Sequence, residues 1–253
     1  MPQQHVHGVD LLEVRGLRLV EVDAPPVPPA HQVARDAVWD AAVRANPSGL
    51  FDGPVVVCAG VDHDGSGAVT VSWARVTYRH FALRRVPGAA PVASVFAAVA
   101  QPTDEGGLVV GRMSASTAAP DRLQLPGGSV EPPAVGTVLD VAGLARHAAR
   151  ELVEETGIAV AHEALQLWAL TRGEHGNIGV FFRAPSLPEA VVRERFEDLV
   201  AIEHAAGRDV ELREIIFPSS VAELTAVRGP RVDYLASIVD LHTRTSTSSR
   251  PMR

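Results

Sequence analysis

The sequence predicts an α+β fold, in which a mixed β-sheet lies between helices as an α/β/α sandwich. Three observations lead there. Short segments of alternating apolar and polar residues outnumber segments with helical spacing. The two kinds do not alternate regularly, as a run of βαβ units would require. The chain has 253 residues, 46% of them hydrophobic and 21% charged, which is enough apolar material for a sizeable core.

Taken in order, residues 11–23, LLEVRGLRLVEVD, read as one or two strands, ended by the stiff spacer PPVPP at 25–29. Between 31 and 45, Val33, Ala34, Ala37, Val38, Ala41 and Ala42 fall at helical spacing, and Asn46-Pro47 stops that helix. Strands are expected at 55–61, 69–75 and 80–86, the first two separated by the turn-rich DHDGSG. Two more, at 94–100 and 108–112, flank the turn TDEGG. ASTAAPDR at 115–122 is a loop, and Leu123–Leu125 is a short strand running into Pro126-Gly127-Gly128. A proline-containing loop from Glu131 to about Leu139 follows. Asp140 is placed to cap a helix over 141–156, with Gly157 where a C′ glycine belongs. Two strands follow at 165–171 and 178–183, then a helix over 187–205, a strand at 211–217, and one further helix at 219–226 or 231–242. The tail TRTSTSSRPMR reads as disordered. The division expected is an N-terminal extension, 1–90, packed on a domain spanning 91–243, with a disordered tail at 244–253.

Composition narrows the function. The net charge is −7 and the pI about 5.8, which argues against nucleic acid or an anionic membrane as partner. The single cysteine, Cys58, follows the apolar run Val55-Val56-Val57. It reads as a buried strand residue and, being alone, excludes an internal disulfide, which fits a cytoplasmic location. The N-terminal residues lack a signal pattern, and the longest apolar stretch, Val95–Ala100, is far too short to span a bilayer. The chain has no lysine. Schiff-base chemistry and a P-loop lysine are therefore excluded, and any basic grip on phosphate falls to arginine, which binds oxyanions bidentately.

The chemistry concentrates in Gly127-Gly128-Ser-Val-Glu131 and in Arg150-Glu151-Leu-Val-Glu154-Glu155-Thr-Gly157-Ile158. Glu151, Glu154 and Glu155 stand at i, i+3 and i+4, within an arc of about 100° on one helical face. Folding alone does not call for three like charges so close together. A hard divalent cation turns their repulsion into attraction, and magnesium takes carboxylate, phosphate and water oxygens. Arg150, at i−4 from Glu154, is spaced to orient these carboxylates. Val141, Leu144, Ala145, Ala148 and Leu152 give the opposite face an apolar stripe that fixes the helix on a sheet. The glycine pair allows close backbone approach to a ligand, and a carbonyl there can complete a metal shell.

These residues resemble the Nudix box, in which an upstream glycine precedes Arg-Glu-aliphatic-x-Glu-Glu-x-Gly-aliphatic. Arg150 to Ile158 match every defined position. The resemblance implies an α/β/α sandwich with the box as a loop–helix–loop. It implies Glu151, Glu154 and Glu155 as magnesium ligands, with manganese as the alternative ion. It gives Arg150 the role of orienting them, and Gly127 and Gly128 that of backbone contacts, Gly128 through a carbonyl on the metal. The implied activity is hydrolysis of a diphosphate linkage in a small nucleotide compound. The alternative is a Nudix-fold nucleotide-binding module with weakened catalysis. The sequence departs from the family pattern in two places. Ala142 stands where a further glutamate is usual, and the stretch from Glu131 to Arg150 is longer. Glu131 and Asp140 are the candidates to replace the missing carboxylate, Asp140 reading better as a helix cap.

Outside the box, Arg112 is a candidate for a substrate phosphate. Glu203, Glu211 and Glu214 are candidates for the general base. Glu174 and His175 lie in a turn near the site. The run Trp39…Asn46-Pro47…Leu50-Phe51-Asp52-Gly53-Pro54 is similar to a segment of Nudix hydrolases that act on UDP-sugars, and contains no catalytic group. Trp39, Trp73 and Trp168 read as core, and His5 and His7 as a terminal pair without function. A homodimer is compatible with the family resemblance; the sequence carries no signal for one.

Overall fold

The computed structural model describes residues 5–6, 8–12, 14–46, 50–63 and 65–248. The elements run β1 (His5–Val6), β2 (Val9–Leu12), β3 (Gly16–Glu21), α1 (Pro29–Ala45), β4 (Pro54–His63) and β5 (Ala68–Thr77). A 3₁₀ helix covers Tyr78–Arg85. Then come β6 (Ala93–Ala100), β7 (Val110–Met113), β8 (Leu123–Gln124), β9 (Gly127–Ser129) and α2 (Val141–Thr156). The chain ends with β10 (Gln166–Arg172), β11 (Ile178–Arg183), α3 (Glu189–Ala205), β12 (Leu212–Ile216), α4 (Val221–Ala226) and α5 (Leu235–Ser248).

Nine strands form one mixed sheet in the order β1-β2-β10-β11-β6-β4-β5-β3, with β9 also paired to β6; β12-β7-β8 form a small second sheet. β6 is the axis. On one edge it runs parallel to β11, from Ile178 opposite Val95 to Arg183 opposite Ala100. Its other edge is shared: Ala93 and Ser94 pair with β4, and Phe96, Ala97 and Ala98 pair with Ser129, Gly128 and Gly127 of β9. This fork sets the glycine pair against the centre of the sheet.

The side-chain period of two decides the layers. Val95, Ala97 and Val99 of β6 and Val180 and Phe182 of β11 pack with Leu144, Ala145, Ala148 and Leu152 of α2. The alternate residues Ala98, Ala100 and Phe181 pack with Leu235, Ile238 and Val239 of α5 on the opposite face. The result is the α/β/α sandwich expected from the sequence. No described helix is long and apolar enough to cross a membrane.

Three expectations are corrected. Residues 80–86 form no strand; Tyr78–Arg85 wind as a 3₁₀ helix. Both C-terminal helices form where one was expected. The second runs to Ser248, through residues read as disordered, because Thr243 and Thr245 bond back to the preceding turn and Arg244 pairs with Asp240. His7, Pro47 and residues 249–253 lie outside the described residues. Cys58 sits half-buried on β4, with its thiol pushed up by burial. Trp39 and Trp73 are buried, and Trp168 packs at the margin of the core beneath Arg183.

Candidate active site

The helix α2 is fixed at both ends by its own sequence. The Asp140 side chain accepts from the Gly143 N–H at 2.7 Å, and Gly157, at φ 72°, closes the last turn by donating to the Val153 carbonyl. Its apolar stripe is buried against the sheet, so the acidic face is rigid and its three glutamates meet different surroundings. Glu155 is 2% exposed. Its Oε2 accepts from the Gly127 N–H at 2.9 Å, while its buried Oε1 has no hydrogen-bond partner. Burial, then Glu211, then Glu151 and Glu154 push its carboxyl well above the usual range, against the pull of the Gly127 N–H. Glu151 lies part-buried beside Gly128. A Cβ at that glycine would stand 2.7 Å from Glu151 Oε2, so a side chain there would displace the carboxylate from its present position. Gly127, at φ 147°, is the more constrained of the pair: a Cβ there would meet the Ala97 carbonyl oxygen, fixed backbone, at 2.3 Å. Glu154 is exposed and leans toward Arg150, Nε to Oε1 3.7 Å.

Arg150 organises the outer side of this face. Its Nη2 donates to Glu151 Oε1 at 3.2 Å and lies 3.7 Å from Glu131. The same nitrogen is 3.0 Å from His147 Nδ1. His147 is buried one turn before Glu151, its Nε2 3.4 Å from the Gly128 carbonyl oxygen. Burial lowers its pKa despite the nearby Glu151. His147 thus ties the helix to the glycine strand.

Above this face opens a cleft of about 850 Å³. Gly127, Gly128 and Glu151 form part of its floor. Of the three downstream glutamates, Glu211 alone lines it. Although part of its surface meets solvent, enclosure by the cleft wall raises the Glu211 carboxyl. Glu151 and Glu154 raise it further, and Arg122 opposes them. Glu203 lies on the exposed side of α3 in a bidentate pair with Arg208, 2.5 and 2.8 Å. Glu214 is held by Arg112, Nε to Oε2 2.5 Å. That bond, with a second from Arg112 Nη1 to the Arg228 carbonyl, commits the buried Arg112 to the β7–β12 pair, and it is not part of the cleft lining. The arginines that line the cleft are Arg84, Arg122 and Arg231. Glu174 and His175 also line it, His175 with a left-handed backbone at φ 58°. Sequence reasoning missed Arg84, whose segment read as a strand, and the two loop arginines, which no periodicity marks.

The replacement carboxylates separate in space. Asp140 and Ala142 border a different groove, against Leu17–Glu21 and Trp73, and Asp140 is occupied as a cap. Glu131 is exposed but stands at the Arg150 end of the acidic face.

Among the described residues, no three His, Cys, Asp or Glu side chains are gathered tightly enough to hold an ion as they stand. The donor set nonetheless suits a hard cation. Glu155 carries a buried oxygen without a partner, the glycine strand leaves room for the Glu151 carboxylate, and all the donors are oxygens.

No family profile and no curated protein matches the chain. Solved structures similar to it include a MutT protein from Methanosarcina mazei Go1 (17% identity, TM-score 0.38, 61% of this chain and 95% of that one). A Nudix hydrolase from Nitrosomonas europaea is another (16%, 0.36, 63% and 93%). A mutT/nudix family protein from Listeria innocua is a third (17%, 0.36, 62% and 92%). What the chain is similar to among solved structures is thus a set of proteins described as MutT or Nudix.

Proposed function

We propose that the chain is a magnesium-dependent Nudix-type hydrolase that cleaves the diphosphate linkage of a nucleoside diphosphate compound. The observation that carries this reading is Glu155. A buried carboxylate anchored by the Gly127 N–H, with one oxygen unpartnered and two more carboxylates on the same face, stabilises no fold by itself. It makes sense beside a cation. Glu151, Glu154 and Glu155, with the Gly128 carbonyl, are the residues that would hold magnesium. When bound, that ion neutralises phosphate charge and acidifies water.

The chain's own groups do the rest. Arg150 steers the Glu151 carboxylate, and the Gly127 N–H fixes that of Glu155. Glu211, which lines the same cleft, is the residue this reading assigns to take a proton from the attacking water. Arg122 and Arg231, which line the same cleft, supply positive charge. Water adds to one phosphorus, the bridging P–O bond breaks, and two phosphorylated products leave.

The second reading, a nucleotide-binding module without turnover, is favoured by the spread of the three carboxylates and by Ala142. One experiment separates the two. The purified protein is incubated with nucleoside diphosphate sugars, ADP-ribose and nucleoside triphosphates, with and without magnesium, and the products are resolved by anion exchange. Magnesium-dependent release of a monophosphate, absent in Glu154→Gln, is the expected result. Binding without turnover on the whole panel would favour the module.

A further inference from the structure

The N-terminal run ending Leu50-Phe51-Asp52-Gly53 has no part in the chemistry above, yet it reaches the cleft. So does one edge of the 3₁₀ helix. A 3₁₀ helix has three residues per turn and stacks side chains at i and i+3. Tyr78, Phe81 and Arg84 are spaced in that way, and all three line the cleft. The Tyr78 and Phe81 rings meet edge to face at 5.3 Å, and the Arg84 guanidinium covers Phe81 at 4.7 Å.

Phe51 stands at the same wall, 83% exposed. The segment beneath it is held firmly. Asp52 accepts from the Arg79 backbone N–H at 2.8 Å and from Arg79 Nε at 2.5 Å, clamping the segment onto the 3₁₀ helix. An aromatic ring this exposed gains nothing for folding from its position, whereas a ring presented at a cleft wall, next to the clamped Asp52, is a ready stacking surface.

The polar groups beside these rings point the same way. Arg84 has no carboxylate partner among the described residues. Its Nε and Nη2 donate to the Val92 carbonyl, and Nη2 also donates to Asn177 Oδ1 at 2.6 Å. That oxygen takes two further bonds from Ser94, N–H and Oγ–H. Among the described residues, Arg84 Nη1 and Asn177 Nδ2 are left as uncommitted donors of two residues that line the cleft. Aromatic faces with donors at their edge fit a planar heterocycle that presents carbonyl or ring-nitrogen acceptors.

We propose that Phe51, Tyr78 and Phe81, with Arg84 and Asn177, form the nucleobase subsite of the cleft. This rests on the hydrolase reading for the rest of the ligand, in which a cation held by the box glutamates would take the phosphates. The N-terminal extension then sets which nucleotide enters, while the box acts on the linkage common to all.

The test is equilibrium binding by calorimetry of the full chain with UMP, AMP, GMP, CMP and ribose 5-phosphate. Phe51→Ala and Phe51→Tyr are the variants. Because Phe51 is exposed, neither change threatens the core. At least one nucleoside monophosphate is expected to bind roughly fivefold or more tightly than ribose 5-phosphate. Phe51→Ala should remove most of that advantage and Phe51→Tyr restore it, without changing ribose 5-phosphate binding. Equal affinity for the base-less sugar phosphate, or affinities unmoved by Phe51→Ala, would overturn the proposal. The two readings fail separately. Turnover on the diphosphate panel with no base-dependent binding leaves the hydrolase and sinks the subsite. Phe51-dependent binding with no turnover does the reverse.

Discussion

At the residue scale the decisive group is Glu155. Its folded carboxyl titrates well above the ordinary range because it is buried, with Glu211, Glu151 and Glu154 adding to the shift. For such a raised group the stabilising contribution is complete below the unfolded pKa and is lost as pH rises through the folded value. The wild-type protein in chelator should therefore melt progressively earlier as pH increases. Glu155→Gln keeps an acceptor for the Gly127 N–H and carries no charge, so it should flatten that slope. At about pH 8 the variant should melt higher by a few degrees, the shift that about 1 kcal/mol produces in a chain of this size. Magnesium should raise the wild type and leave the variant nearly unmoved. Scanning calorimetry across pH, with and without magnesium, checks this; parallel slopes would count against a charged, uncompensated Glu155. Glu211 makes a separate prediction. As a proton acceptor its loss in Glu211→Gln should lower kcat by about 10²–10⁴-fold with little change in KM. Glu203→Gln, which breaks only an exposed pair with Arg208, should leave both constants unchanged.

At the element scale α2 shows what sequence can and cannot specify. Its start, its end and its buried stripe were legible because each is a local rule: a capping Asp, a left-handed Gly and a 3.6-residue period. The box glutamates were legible for the same reason, since their spacing on one helix is fixed. Their neighbours were not. Glu211 reaches the cleft from the start of β12, and Arg112 turns away into a pair with Glu214; both outcomes depend on pairing between segments far apart in the chain. Tyr78–Arg85 misled because its apolar residues fit a strand's alternation as well as a threefold period, and only packing against α1 decides between them. The cap also separates two roles for Asp140. Asp140→Ala should cost about 1 kcal/mol, lowering Tm by a few degrees with kcat unchanged. A large loss of kcat would instead bring that carboxylate into the chemistry. Gly157→Ala should be worse than a lost cap, because a Cβ there would stand 2.5 Å from the Arg195 carbonyl oxygen in addition to the left-handed backbone.

At the scale of the whole molecule the question is whether residues 1–90 are an accessory. The sequence reading divides the chain near residue 90, whereas the strand order interleaves strands from both sides of that point. β2 extends the sheet beyond β10, pairing Leu11 with Thr171, while β4 takes the edge of β6 beside β9. The hydrophobic cluster beneath α2 draws Leu19, Val56, Val69, Val71 and Trp73 from the N-terminal strands into contact with Val95, Val130, Leu139 and Leu144. Hydrogen bonds bind the same seam, from the Val56 N–H to the Val130 carbonyl and from Arg75 Nη1 to the Pro133 carbonyl at 2.5 Å. Removing residues 1–90 would thus strip two strand edges and open one side of the core in a single step. Exposed edges of that kind template aggregation. The expectation is that a fragment spanning 91–253 does not fold on its own. It should be recovered as aggregate, or as a species with retained far-ultraviolet but lost near-ultraviolet circular dichroism. A fragment that melts cooperatively and keeps magnesium-dependent turnover would show instead that the N-terminal strands are added to a self-sufficient catalytic core. Their contribution would then lie in the wall of the cleft alone.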